Sequence, residues 1–83
     1  MKKFERKIIK RSIRIGNHRT SISIENEFWS ELENEAKNQK LSMNKLILRI
    51  DTQRPKDYGN LSSYIRVWIL QKFKNLAIFL TTS

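Results

Sequence analysis

Few side chains in this 83-residue chain have types and spacing that could do chemistry, and several of them fall in one run, Arg19-Thr20-Ser21-Ile22-Ser23-Ile24. In extended backbone, successive side chains point to opposite faces, so Arg19, Ser21 and Ser23 share one face and Thr20, Ile22 and Ile24 the other. A guanidinium and two hydroxyls in line make a hydrogen-bonding surface. The inventory for catalysis is thin: His18 is the only His, there is no Cys, and no Gly-rich phosphate loop occurs. Metal sites built from His and Cys are thereby excluded within one chain, and no metal or cofactor is expected. His18 beside Arg19 suits a turn or a phosphate contact better than catalysis.

A second candidate is Ser42-Met43-Asn44-Lys45. If a helix starts there, its free backbone N–H groups, the Ser42 hydroxyl and the Lys45 ammonium together suit a phosphate, although an ordinary cap without ligand uses the same residues. The carboxylates Glu31, Glu33 and Glu35 are read as the solvated outside of a helix, not as acid/base groups. Trp29, Tyr64 and Trp68 could stack on bases, but their helical spacing within apolar stripes reads as core.

Charge is segregated along the chain. Residues 1–19 carry eight Lys or Arg against Glu5 alone, residues 20–36 carry five Glu and no base, and residues 37–83 carry nine bases against Asp51 and Asp57. The formal net charge is +9. Such a surface favours a polyanion, with the acidic block turned away from it. Ile8-Ile9-Lys10-Arg11 interrupts any apolar signal-peptide core, and no segment has the length of a membrane span, so a soluble, cytoplasmic protein without membrane contact is expected.

These groups must be positioned by a small number of elements. The length allows one domain and too few residues for two cores, and without disulfides or Cys-based zinc a small core is expected to be completed by oligomerisation. Residues 1–11 read as a flexible basic arm. A strand is predicted over about 18–25 and a helix over about 26–38, where Phe28, Leu32 and Ala36 recur every four residues with Trp29 alongside. After the connection Asn38-Gln39-Lys40-Leu41, a second helix is predicted over about 42–51, with Met43, Leu46, Ile47 and Ile50 on its apolar side. Residues 52–60 form a loop around Pro55 and Gly59. A third helix over about 61–74 carries Leu61, Tyr64, Ile65, Val67, Trp68, Ile69, Leu70 and Phe73, so many apolar groups that burial nearly all round is expected; residues 75–83 read as a tail, with an extension of the helix through residues 75–80 as the alternative. Ser12-Ile13-Arg14-Ile15 alternates like a strand before Gly16-Asn17, so the fold class is mainly α with one short β-strand, or with a hairpin if 12–15 pairs with 18–24.

Strand, helix, short turn, helix is the order of the ribbon-helix-helix fold. Lys10-Arg11-Ser12, Gly16, the run from His18 to Glu25 and Phe28-Trp29 resemble the opening signature of a family of short bacterial ribbon-helix-helix proteins; Asn60-Leu61-Ser62-Ser63-Tyr64-Ile65-Arg66-Val67 resembles its closing one. Lys40 stands where many such proteins have Gly. The resemblance spans roughly residues 10–74, making residues 12–74 the expected domain. It implies an intertwined homodimer in which each chain contributes one strand to an antiparallel ribbon that enters the DNA major groove. The extra third helix is expected to be buried, and related repressors also pair dimers along DNA.

By the same resemblance Arg19, Ser21 and Ser23 read bases. Arg suits a bidentate contact to guanine and Ser several base edges, each good bidentate pair being worth about 1–3 kcal/mol of discrimination. Ser42, Met43, Asn44 and Lys45, with His18, Lys10 and Arg11, are expected at phosphates. Ile22, Ile24, Phe28, Trp29, Leu32, Leu46, Ile47, Ile50, Ile65, Trp68 and Ile69 are expected to form the dimer core. The function expected is sequence-specific double-stranded DNA binding by a small transcriptional regulator, not an enzyme. Two other readings stand beside it: an antitoxin-like protein-interaction module anchored by the apolar run Ala77-Ile78-Phe79-Leu80, and a sequence-tolerant RNA or single-strand binder using the basic arm.

Overall fold

The computed structural model describes residues 7–81. Residues 1–6 of the expected basic arm, and Thr82-Ser83 of the expected tail, lie outside the described residues. The chain forms β1 (Ile8–Ile15), β2 (His18–Glu25), α1 (Asn26–Gln39), α2 (Met43–Gln53) and α3 (Leu61–Thr81).

The hairpin is formed: β1 and β2 pair antiparallel, with Ile15 opposite His18 and Ile8 opposite Glu25. Only Gly16 and Asn17 separate the paired ends, and Gly16 takes φ +59° in the first central position, the requirement of a two-residue II′ turn. No neighbouring atom lies within 4 Å of a Cβ added at Gly16, so backbone conformation and not space calls for Gly there. One edge of β2 is therefore paired within its own chain, the hairpin alternative offered by Ser12–Ile15 and Gly16-Asn17. Lys10 and Arg11 belong to β1 and not to an arm.

One face of the hairpin closes the core. Ile13, Ile22 and Ile24 are buried with Leu32 and Ala36 of α1, Leu46, Ile47 and Ile50 of α2, and Ile65 and Ile69 of α3. Phe28, Trp29, Tyr64 and Trp68 are half-buried against this cluster. Thr20, expected inward with Ile22 and Ile24, lies opposite Ile13 in register yet is exposed. Helix α2 covers β1, whereas α1 and α3 contact β2 and shield its Ile22 and Ile24.

Helix α1 ends in a Schellman motif: Leu41 N–H donates to the Ala36 carbonyl at 2.8 Å and Lys40 N–H to the Lys37 carbonyl at 3.1 Å. Lys40 occupies its left-handed position at φ +57°. Glu35, expected on the outside, is buried at 9% exposure; it accepts from Gln39 Nε2 at 2.7 Å and pairs with Lys72 of α3. A buried carboxylate needs such partners, and they tie α1 to α3.

Helix α3 is positioned at its start. The Asn60 side chain accepts from Ser63 N–H at 2.8 Å as its cap. Tyr64 Oη donates to the Gln53 carbonyl at 3.2 Å and Trp68 Nε1 to Gln53 Oε1 at 3.1 Å, fastening α3 to the end of α2. Within the intervening loop, Arg54 pairs with Asp51 at 2.9 Å and donates to the Gly59 carbonyl. The helix continues to Thr81 through the residues expected as a tail. Burial all round is not met within one chain, because Val67, Leu70, Phe73 and Leu76 remain exposed.

Candidate nucleic-acid interface

The face of the hairpin turned away from the core is built from side chains that stand directly opposite each other. Lys10 faces Ser23, Ser12 faces Ser21, and Arg14 faces Arg19. Residues directly opposite in an antiparallel pair share a face, so these six form one ladder of three polar rungs, and all six are exposed. Arg19, Ser21 and Ser23 are thus brought together on the exposed face, and β1 doubles their number. The alternation of Ser12-Ile13-Arg14-Ile15 before Gly16-Asn17 was the signal for these extra groups, but the sequence assigned no binding role to Ser12 or Arg14.

The edges of this ribbon are held by the helices. On the β1 side, Arg14 N–H donates to Asn44 Oδ1 at 3.2 Å. On the β2 side, Ser23 N–H donates to Ser62 Oγ at 3.2 Å, and Arg66 Nη2 to the Ser23 carbonyl at 3.4 Å. Arg66 also pairs with Glu25 at 2.8 Å and lies 5.9 Å from the Phe28 ring centroid. The hydrogen bond from Arg66 holds the Glu25 carboxyl below its ordinary range, aided by a backbone N–H. Arg66 therefore fixes the end of β2 to α1 and α3.

The start of α2 comes up beside the ribbon. Ser42 Oγ accepts from Lys45 N–H at 3.2 Å, so the Ser42 hydroxyl serves as the helix cap. Ser12, Arg14, Arg19 and Asn44 line one hollow of about 310 Å³ between the exposed ribbon face and this helix end. Lys45 is exposed, while the Met43 side chain is half-buried against the core. His18 is exposed next to the turn, on the register face of Ile15 and not among the polar rungs.

Arg11 is not brought to this surface. Its position opposite Ile22 turns it toward the helices, where its guanidinium lies 4.5 Å from the Trp29 ring centroid and donates to Asn26 Oδ1 at 2.9 Å. This guanidinium joins β1 to α1, a task that occupies the face expected at phosphates. The residues expected as dimer core divide within one chain: Ile22, Ile24, Leu32, Leu46, Ile47, Ile50, Ile65 and Ile69 are buried, and Phe28, Trp29 and Trp68 pack at its rim.

Among the described residues no group of His, Cys, Asp and Glu could hold a metal ion, and no helix is long and apolar enough to cross a membrane. No curated protein and no solved structure matches the chain. The family described as a ribbon-helix-helix domain matches residues 8–73, from the first residue of β1 well into α3. With a polar two-stranded ribbon backed by α1 and α2 in that order, the chain belongs to the ribbon-helix-helix domain family, whose members are generally DNA-binding transcription regulators.

Proposed function

We propose that this protein binds double-stranded DNA in a sequence-specific manner as a homodimer and regulates transcription. The observation that carries the proposal is the exposed polar ribbon face with the amino end of α2 beside it. Arg19, Ser21 and Ser23 read base edges in the major groove, which at about 12 Å wide admits a two-stranded ribbon. Phosphates are met by backbone N–H groups at Ser42, Met43 and Asn44, by the Lys45 ammonium, and by Lys10 and His18 at the margins of the ribbon. The exposed apolar positions of α3 support association with a second copy, which would cover Val67, Leu70 and Phe73.

Selection of bound sites from random duplex DNA tests this reading. A single enriched motif, with two-fold symmetry if a dimer binds, is the expected result. Arg19→Ala combined with Ser21→Ala should relax the motif, whereas Lys45→Ala should weaken all sequences about equally and lower the salt slope by roughly one phosphate's worth. Absence of any enriched motif overturns sequence-specific DNA binding. The same exposed α3 face favours one other reading, a docking surface for a different protein; a chain that remains monomeric and selects no motif would point there.

A further inference from the structure

Resting on the DNA-binding reading just proposed, we infer that the corner where α1 turns into α2 is a further polyanion surface: Lys40, with Lys37 and Arg49, holds the phosphate backbone outside the groove, on the β1 side of the ribbon. The inference begins at Lys40, which ends α1 in the left-handed conformation at φ +57°. Gly takes that conformation freely, and an L side chain takes it only under strain. The pull of a helix carboxyl end on cations does not account for the residue. Lys37 already supplies a cation to the last turn, and the Ala36 and Lys37 carbonyls are met by the Leu41 and Lys40 N–H groups. Nor does a contact within the chain account for it: among the described residues the exposed Lys40 ammonium makes no ion pair, the ion-paired cations being Arg54, Arg66 and Lys72.

Lys40 is one member of a band of charge. Lys37 and Lys40 line one hollow with Leu41 and Met43; Lys45 and Arg49 line the next, and Leu41 is common to both. Lys45 and Arg49, four residues apart, share a face of α2. The Arg49 guanidinium is steadied by donating to Gln39 Oε1 at 2.6 Å. Lys37, Lys40, Lys45 and Arg49 are all exposed, and although Glu33 reaches the first hollow it pairs with none of them. Cations gathered without counter-charge repel one another in the free protein and gain most from a polyanion. The position of the band points to duplex backbone. Asn44 holds the β1 edge through the Arg14 N–H, and Lys45 is the next residue, so the band starts where the ribbon ends. With the ribbon in the groove, the backbone bordering it passes the amino end of α2, and the corner carries the cations outward from there.

The test uses the full chain, the site selected by the wild type and an unrelated duplex. Lys40→Gly should weaken binding to both alike, by about 5- to 10-fold at about 0.1 M salt, and lower the salt slope by about 0.9, the worth of one phosphate. Removing the strained side chain should not unfold the protein, which urea unfolding of the same variant checks, so weaker binding is not a folding defect. Lys37→Gln and Arg49→Gln should each lower the slope by a similar amount, and Lys40→Arg should keep it. Lys56→Gln, which removes an exposed charge from the loop before α3, should leave it at the wild-type value. If Lys40→Gly keeps the wild-type slope, or Lys56→Gln lowers it equally, the corner meets no phosphate and the inference fails, while motif selection through Arg19 and Ser21 stands. The band is then left to an acidic protein surface. A wild-type chain without salt-dependent duplex binding overturns the DNA-binding reading and this inference together.

Discussion

Lys40 holds φ +57° at the end of α1, a conformation in which an L side chain is strained by roughly 1–2 kcal/mol. The two Schellman hydrogen bonds keep it there. Replacing it by Gly removes the strain but adds backbone freedom to the unfolded chain, which returns about 0.4–1 kcal/mol of the gain. Lys40→Gly is therefore expected to stabilise the protein by about 0.5–1 kcal/mol in urea unfolding at high salt, where loss of a charge near the helix end is screened. Unchanged or lower stability would show that Lys40 makes up its strain elsewhere. At this scale the sequence was informative about residue types and less so about their partners. Arg19, Ser21 and Ser23 stand on one exposed face as alternation requires, but Arg11 reads in the sequence as one more base of a basic run. Its engagement with Trp29 and Asn26 depends on strand register, which a periodicity does not contain. Glu35 differs from its sequence reading for a related reason: a buried carboxylate beside the half-buried Glu31 and the exposed Glu33 is revealed only by the Lys72 that α3 brings to it.

At the scale of elements, the hairpin decides what the exposed face contains. The helix pattern of α1 and α2 was legible because each carries a full apolar stripe, and the structure shifts their ends by only one or two residues, the range in which such ends are ordinarily defined. The pairing of β2 was not legible, because a strand of the same chain and a strand of a second copy satisfy the same alternation. The choice is set by Gly16 at positive φ and by Ile13 reaching the core, with Asn44 holding β1 from outside. Gly16→Val tests that choice. A β-branched residue cannot take φ +59° without strain against its own backbone, and beyond the chain neighbours no atom lies within 4 Å of an added Cβ at Gly16. The variant is expected to lose about 1–2 kcal/mol in urea unfolding. It should also lose DNA-site preference at concentrations where its helices are still folded by circular dichroism, because a loosened turn lets Arg14 and Arg19 drift out of register. Retained stability and preference would mean that the turn does not set the register.

At the scale of the whole molecule, what must be explained is an apolar helix with two faces. Ile65 and Ile69 sit in the core, yet Leu70 is 55% exposed, Phe73 44% and Leu76 48% on the same helix. From sequence, the apolar content of α3 announces burial without saying in what, and one small chain has only one core to offer. Apolar side chains that recur along the outward side of a helix suit a second copy packed along it. On the DNA-binding reading proposed above, two copies joined in this way would bind a two-part site with an affinity that can exceed one copy alone by about 10²–10⁴-fold. Leu70→Glu combined with Phe73→Glu should therefore yield a folded monomer in sedimentation at micromolar concentration, since neither side chain contributes to the buried cluster. That monomer should keep the base preference of a half-site and lose affinity for the full site within the same range. If the wild type is itself monomeric, or if the double variant remains dimeric, α3 does not join the copies and its exposed face serves something other than self-association.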